Sequence, residues 1–326
     1  MSQFEVLITR RIPEAGLQLL HGEVFIDIFE GEAPITRSEL LARVRGKHGL
    51  LCLLSDVIDR EVMEAAGPQL KVISNYAVGY NNIDVEEATR RGILVTNTPG
   101  VLTEATADLT WALIMACARR IPESDKFVRE GRFVGWDPML LLGQEVYGRT
   151  IGIIGLGDIG TAVARRAKGF NMKILYHNRK RNVEGEKEVG AEYRSLDDLL
   201  RESDFVTLHV PLTKETYHLI GERELNLMKK SAILVNVARG EVVDEKALIA
   251  ALNERKIAYA GLDVFENEPH VNPELFKLEN VVLTPHTGSA TYESRNRMAI
   301  MAARNLLDGL KGKRPHNLVN PAVWKD

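Results

Sequence analysis

Cysteine is scarce in this chain: two in 326 residues, Cys52 and Cys117, each within an apolar run. Two such thiols build no disulfide framework, and buried, reduced cysteines fit a cytoplasmic compartment. Positive charge is not in excess either. Lys and Arg number 42 against 45 Asp and Glu, a formal net charge of -3. The composition therefore offers no basic surface for nucleic acid or for an anionic membrane. Long apolar runs are missing too. The longest, around Leu109–Ala118, falls far short of the ~20 residues of a membrane-spanning helix. The opening Met1-Ser-Gln-Phe-Glu-Val-Leu-Ile has neither the basic start nor the apolar core of a signal peptide and reads as a first strand. There is no internal repeat, low-complexity tract or flexible linker, and no metal is expected.

What is present is an ordinary globular composition, 45% hydrophobic and 27% charged, long enough for two cores. The first hundred residues alternate strand and helix. Glu5–Thr9, Val24–Phe29, Gly49–Leu54, Lys71–Asn75 and Ile93–Asn97 are short apolar or β-branched runs, with helical patterns such as Ser38–Arg45 and Arg60–Ala66 between them. Such alternation implies a parallel sheet with helices on its faces. A break at Thr98-Pro-Gly precedes a strong helix, Glu104–Arg120, with Thr103 as its N-cap and Arg119, Arg120 and Pro122 marking its end.

Gly155, Gly157 and Gly160 then form a GxGxxG loop. The run before it, Arg149-Thr-Ile-Gly-Ile-Ile, reads as a buried strand, and Ile159–Phe170 reads as a helix. Strand, glycine turn and helix make the first unit of a dinucleotide-binding Rossmann fold. The first Gly permits the tight turn, the second lets backbone approach a pyrophosphate, and the third packs helix on strand. Gly155, Leu156, Gly157, Asp158, Ile159 and Gly160 are the expected phosphate contacts. About 150 residues precede this loop, so another domain folds first. Strands are expected at Ile151–Gly155, Lys173–His177, Phe205–Leu208, Ile233–Asn236, Tyr259–Leu262 and Val281–Thr284, the six of a full dinucleotide fold. Ser289–Lys311 reads as one long amphipathic helix that returns to the first domain. The expected architecture is α/β. Two Rossmann-like doubly wound parallel-sheet domains flank a cleft: a discontinuous, flavodoxin-like substrate domain, 1–99 with 290–326, and a dinucleotide-binding domain, 100–289.

Strand ends of open parallel sheets face the ligand crevice. Arg239 follows Ile233-Leu-Val-Asn-Val-Ala, Glu266 and Glu268 follow the fifth strand, and His286 follows the sixth within a Pro/Gly/Ser loop. Arg offers a planar fork for a carboxylate, the competing reading being an interdomain salt bridge. Glu266 reads as part of a solvated acidic loop. His286 supplies a proton, and Glu268 stabilises the imidazolium and fixes its tautomer. With a nicotinamide for hydride, this is the apparatus for reducing a 2-keto acid.

The chain resembles the D-isomer-specific 2-hydroxyacid dehydrogenases over essentially its full length. The resemblance rests on Ser74-Asn-Tyr-Ala-Val-Gly-Tyr-Asn-Asn-Ile-Asp84, Gly155-Leu-Gly-Asp-Ile-Gly160, His209-Val-Pro-Leu-Thr, Asn236-Val-Ala-Arg-Gly240, Gly261-Leu-Asp-Val-Phe-Glu-Asn-Glu-Pro269 and Pro285-His286. It implies catalytic roles for Arg239, Glu268 and His286, and a nicotinamide-orienting role for Asp263. It places substrate at Leu54, Ser55, Val78, Gly79 and Arg239, with the backbone N–H groups of the Val78-Gly79 loop on its carboxylate. It adds Val210, Pro211, Thr216, Val237, Ala238, Gly288 and Ser289 to the cofactor contacts. Within the family the chain is most similar to glyoxylate/hydroxypyruvate reductases, through Gly49-Leu-Leu-Cys-Leu-Leu-Ser-Asp56, Gly135-Trp-Asp-Pro-Met-Leu-Leu-Leu-Gly143 and His286-Thr-Gly-Ser-Ala-Thr291. The resemblance also implies a homodimer built on about Thr103–Leu142, in which Trp136–Leu142 is apolar for a loop.

The second strand of the dinucleotide half ends at His177, where an acid would read the ribose. Asn178 follows instead, then Arg179-Lys180-Arg181. A neutral Asn beside three cations welcomes a 2′-phosphate, so NADPH is expected over NADH, with Arg179 as the main contact. A solvated basic loop is the competing reading. The competing functions are a 2-ketogluconate or broad 2-keto-acid reductase and, in another class, a dinucleotide-sensing binding protein. A small keto acid, and neither membrane nor nucleic acid, is the expected partner.

Overall fold

The computed structural model describes residues 4–324; Met1–Gln3, the start of the segment expected to open the first strand, and Lys325–Asp326 lie outside the described residues. The chain divides into two compact units, Met1–Leu102 with Ala290–Asp326, and Thr103–Ser289. No described helix is long and apolar enough to cross a membrane.

Among the described residues the first unit holds five strands: β1 (Glu5–Ile8), β2 (Phe25–Ile28), β3 (Gly49–Cys52), β4 (Val72–Asn75) and β5 (Leu94–Thr96). They form one sheet in the order β2-β1-β3-β4-β5, parallel throughout. Strands β3 to β5 are buried along their length. That suits the apolar Leu50–Cys52, Val72–Ile73 and Leu94–Val95, since helices cover both faces of a parallel sheet. The helix Tyr292–Leu310 packs on β3, β4 and β5 and on the helix Glu14–Leu20. Those two helices meet at Gly16, where an added Cβ would come within 2.7 Å of the Ala299 carbonyl oxygen. The long helix starts three residues later than the sequence pattern suggests, because the Thr291 hydroxyl accepts from Ser294 N–H and caps it there.

The second unit is a seven-stranded parallel sheet: β6 (Thr150–Ile154), β7 (Lys173–His177), β8 (Glu192–Tyr193), β9 (Phe205–Leu208), β10 (Ile233–Asn236), β11 (Tyr259–Leu262) and β12 (Val281–Leu283). Their order is β12-β11-β10-β9-β6-β7-β8. Six strands match the expected runs within a residue or two. The seventh, β8, is a two-residue edge strand in register with Leu175 and Tyr176. The order reverses at β6, with β7 on one side and β9 on the other, and such a switch point is where open sheets take ligands.

The helix Thr103–Ala118 packs on β10 and β11. It differs from expectation at both ends. Thr103 is its first residue rather than its cap, and it stops at Ala118. Arg120 then turns the chain in the left-handed region, φ 53°, and Pro122 opens a further helix, Ile121–Arg129. A proline that cannot continue one helix is well suited to the first turn of the next.

Candidate active site

The glycine loop joins β6 to the helix Asp158–Ala167. Gly155 has φ 102°, and an added Cβ would lie 2.8 Å from the His209 carbonyl. A Cβ on Gly160 would lie 2.1 Å from the Gly155 oxygen. Both positions therefore exclude any side chain. At Gly157 an added Cβ would meet nothing within 4 Å. Open space thus lies over the start of a helix whose first N–H groups have no intrahelical acceptor. Asp158 is exposed and Ile159 half-buried in that first turn. This is the cradle a pyrophosphate requires, and the residues present fit a dinucleotide.

Asn178 follows β7, and its Oδ1 accepts from Leu156 N–H at 2.7 Å. It therefore anchors the glycine loop to the end of β7. Of the three cations beside it, Arg181 is committed elsewhere. Its guanidinium binds both oxygens of Glu186, at 2.8 and 2.7 Å, and lies over the Tyr193 ring. The bonds from Arg181, with another from the Tyr176 hydroxyl, hold the Glu186 carboxyl down at about 2. The expected set of three is thus corrected to two. Arg179 and Lys180 are exposed and form no ion pair among the described residues. Nearby, the Thr216 hydroxyl donates to Pro211 O at 2.6 Å, closing the turn that follows Val210.

At the end of β10, Val237 and Ala238 are buried. Asn236 fixes the turn beyond them, accepting from Ala238 N–H at 3.0 Å and donating to Arg239 O at 2.8 Å. Arg239 is half-buried and donates from Nη1 to Ala238 O at 2.7 Å. Burial pulls its guanidinium below the ordinary value, opposed by the charges of Glu268 and Glu241. A cation so placed favours an anionic ligand.

At the end of β12, His286 Nδ1 lies 2.7 Å from Glu268 Oε2, while Glu268 Oε1 accepts from Phe265 N–H at 3.0 Å. Burial raises the Glu268 carboxyl, but the bond and charge of His286 outweigh it, and the net shift is downward. An ionised carboxylate only accepts, so Nδ1 carries the proton and Nε2 is left for chemistry. His286 itself has φ 54°, in the left-handed region. Such a conformation costs ~1–3 kcal/mol and persists where the surroundings impose it.

Asp263 supplies that constraint. Its backbone oxygen accepts from His286 N–H at 2.8 Å. Its carboxylate, almost wholly buried, accepts from Thr284 Oγ1 (2.6 Å), Thr287 N (2.7 Å), Thr287 Oγ1 (3.1 Å) and Gly288 N (2.8 Å). Both oxygens are thus engaged with the His286 loop, ahead of half-buried Ser289.

Glu266 is no solvated acid. Its Oε1 lies 2.7 Å from His218 Nε2, and His218 N–H donates to Glu241 O at 2.8 Å. His218 therefore braces the segment that carries Glu268, a role its position far from any strand end gave no hint of.

Leu54, Ser55, Val78 and Gly79 belong to the other unit, after β3 and β4. Asp56 accepts from Leu53 N–H at 2.7 Å and from the Thr9 hydroxyl at 2.5 Å. Burial raises its carboxyl above the ordinary value. Asn82 Nδ2 reaches Leu53 O and Asp56 O, at 3.0 and 3.1 Å, and ties the two loops together.

Comparison with known proteins accords with this geometry. The D-isomer specific 2-hydroxyacid dehydrogenase NAD-binding domain matches residues 111–288. A glyoxylate reductase of Thermococcus onnurineus is 58% identical over 98% of this chain and 96% of its own. A crystal structure of a Thermus thermophilus protein superposes with a TM-score of 0.91 at 45% identity, covering 97% of this chain and 99% of that one. The NADPH-dependent glyoxylate/hydroxypyruvate reductase of Sinorhizobium meliloti, solved with NADP and malonate, gives 0.87 at 34% identity, covering 100% of this chain and 99% of that one. This chain belongs to the D-isomer-specific 2-hydroxyacid dehydrogenases and is an NAD(P)-dependent enzyme.

Proposed function

We propose that the enzyme reduces glyoxylate and hydroxypyruvate to glycolate and D-glycerate, with NADPH as its preferred cofactor. The observation that carries this reading is the His286–Glu268 pair at the end of β12, in a chain 58% identical to a glyoxylate reductase. In this reading the unit Thr103–Ser289 binds the dinucleotide and the other unit serves the keto acid. The bound nicotinamide supplies a hydride. His286 Nε2 gives its proton to the keto oxygen as negative charge develops there, and Glu268 holds Nδ1–H and stabilises the imidazolium. The N–H groups of the Val78–Gly79 loop receive the substrate carboxylate, and Arg239 grips it with its fork and polarises the keto oxygen. Asp263 orients the His286 loop and the nicotinamide edge. The exposed cations Arg179 and Lys180 support the NADPH preference.

The test is loss of NADPH absorbance on adding glyoxylate or hydroxypyruvate. His286→Ala is expected to lower kcat by ~10²–10⁴, the usual range for a general acid, while NADPH still binds. A near-normal kcat removes His286 from the mechanism. Arg239→Lys keeps the charge but loses the fork, and is expected to lose much of kcat/KM.

The same reading makes the enzyme a homodimer. Ile121, Val128, Phe133, Trp136, Met139 and Leu142 are all more than half exposed, an apolar surface on the helix Ile121–Arg129 and the loop after it. A second copy is its expected cover. Sedimentation at the monomer mass would remove this part. Buried free Cys52 and Cys117 fit a reducing cytoplasm.

A further inference from the structure

Three consecutive carbonyls in the loop after β4 are held from behind. The Ala77 oxygen accepts from Thr98 N–H at 2.9 Å. The Val78 oxygen accepts from Asn97 Nδ2 at 2.8 Å, and the Gly79 oxygen from Asn75 Nδ2 at 2.8 Å. In a planar trans peptide the N–H points opposite to the C=O. Fixing these oxygens therefore aims the N–H groups of Val78, Gly79 and Tyr80 away from Asn75, Asn97 and Thr98. None of the three finds an acceptor among the described residues. Val78 and Gly79 are half-buried and Tyr80 is exposed, so these donors border solvent. Successive N–H groups turned the same way make a concavity for an anion.

Asn97 is held in turn. Its backbone N–H donates to Asn317 O at 3.3 Å, and its backbone oxygen accepts from Asn305 Nδ2 at 3.1 Å. Asn305 lies in the helix Tyr292–Leu310 and bonds Asn317 Oδ1 at 3.3 Å. Both anchors use the Asn97 backbone. Its side chain, half-buried, makes the bond to Val78.

We infer that Asn97, with Asn75 beside it, is a positioning residue for the substrate carboxylate. It touches no substrate and acts by fixing the peptide plane whose N–H the carboxylate would meet. The inference rests on the proposed reading that the Val78–Gly79 loop receives that carboxylate, and adds the side chain that orients it. Removing the Asn97 amide frees the Val78–Gly79 peptide to rotate, while the backbone anchors of residue 97 stay. The cost should fall on keto-acid binding, leaving cofactor binding and the proton-donating pair alone.

The experiment pairs kinetics with amide resonances, using oxalate as a non-reacting dicarboxylate. In the wild-type enzyme, oxalate is expected to shift the Val78, Gly79 and Tyr80 amide signals. Asn97→Ala is expected to raise KM for glyoxylate and Ki for oxalate in parallel, by tenfold or more. Its kcat should stay within threefold of wild type and its KM for NADPH should not change. Asn97→Ser keeps a short donor and should fall between the two. Amides that respond in wild type, with an unchanged KM in Asn97→Ala, would overturn the positioning role and leave the carboxylate site standing. Amides that ignore oxalate would overturn the carboxylate site, and the inference with it. A joint loss of kcat, keto-acid KM, cofactor KM and melting temperature in both variants would make Asn97 merely structural, which also overturns it.

Discussion

The backbone of Gly240 lies directly against that of Phe265: a Cβ built on Gly240 would fall 2.0 Å from the Phe265 oxygen and 2.4 Å from Glu266 N. Arg239 precedes the first of these residues and Glu268 follows the second by three positions. The close approach thus sets the spacing between half-buried Arg239 and the carboxylate that holds His286. Backbone cannot move aside as a flexible side chain would. Gly240→Ala is therefore expected to force the two segments apart. Overpacking of this kind typically costs ~1–3 kcal/mol. Because Arg239 and Glu268 move relative to each other, kcat/KM should fall with the melting temperature. A Gly240→Ala enzyme with normal kinetics would show that this contact does not set the site's geometry.

Glu268 titrates with a consequence for the pH profile. His286 holds its carboxyl below the ordinary range, despite burial that raises it. The native carboxylate is therefore favoured over its unfolded form, a contribution present above the ordinary carboxylate range and lost as pH falls through the lower native value. Glu268→Gln keeps size and a hydrogen-bonding oxygen but no charge to titrate. It should lose less stability than wild type between pH 5 and pH 3. Urea unfolding of both enzymes at those two pH values is the measurement. Equal losses would mean that the pair with His286 contributes nothing to acid stability.

His209 sets acid stability. Both its ring nitrogens are buried, and burial drives its pKa from 6.5 down to about 3. Between those values the unfolded chain binds a proton that the native chain does not. Stability should therefore be unaffected above about pH 6.5 and fall as pH drops towards about pH 3. From pH 7 to pH 5 this one group accounts for about 2 kcal/mol by linkage. Urea unfolding at the two pH values tests it, comparing wild type with His209→Leu. The variant should lose less stability over that interval. Equal losses would mean the ring is protonated in the native state or reaches water.

The strands were legible because parallel strands buried on both faces leave unbroken apolar runs, as Ile151–Ile154 and Phe205–Leu208 do. The glycine loop was legible because Gly155 and Gly160 each answer a steric demand that no other residue meets. Arg239, Glu268 and His286 stood out as polar groups after such runs. What stayed hidden depends on tertiary pairing. Strand β8 is two residues long with a Glu at its start, so it has no pattern of its own and exists by pairing with β7. The helix Ile121–Arg129 was masked because Pro122 reads equally as a stop and a start. His218 and Glu266 meet across 48 residues, and Asn97 grips a carbonyl 19 residues away. An amide side chain carries no periodicity, so nothing in the sequence tells such a clamp from a surface asparagine.

On the proposed reading, cofactor choice turns on Arg179. Asn178 occupies the position where a carboxylate would accept from a ribose and repel a 2′-phosphate, and its own oxygen is already held by Leu156 N–H. Arg181 is tied to Glu186, so it contributes no open charge. Arg179 and Lys180 remain exposed beside the end of β7. Of the two, Arg179 can grip a phosphate through two parallel N–H groups, where Lys offers a point charge. A charge-assisted contact contributes ~1.5–3 kcal/mol, so Arg179→Ala should weaken NADPH by roughly ten- to a hundredfold. NADH has no phosphate to lose, and its KM should change little. Comparing KM for both cofactors in wild type and Arg179→Ala decides the matter. Equal weakening of the two would place Arg179 on the part of the molecule they share. A wild-type preference for NADH would remove the argument altogether, because neutral Asn178 beside Arg179 and Lys180 would then be an ordinary solvated loop.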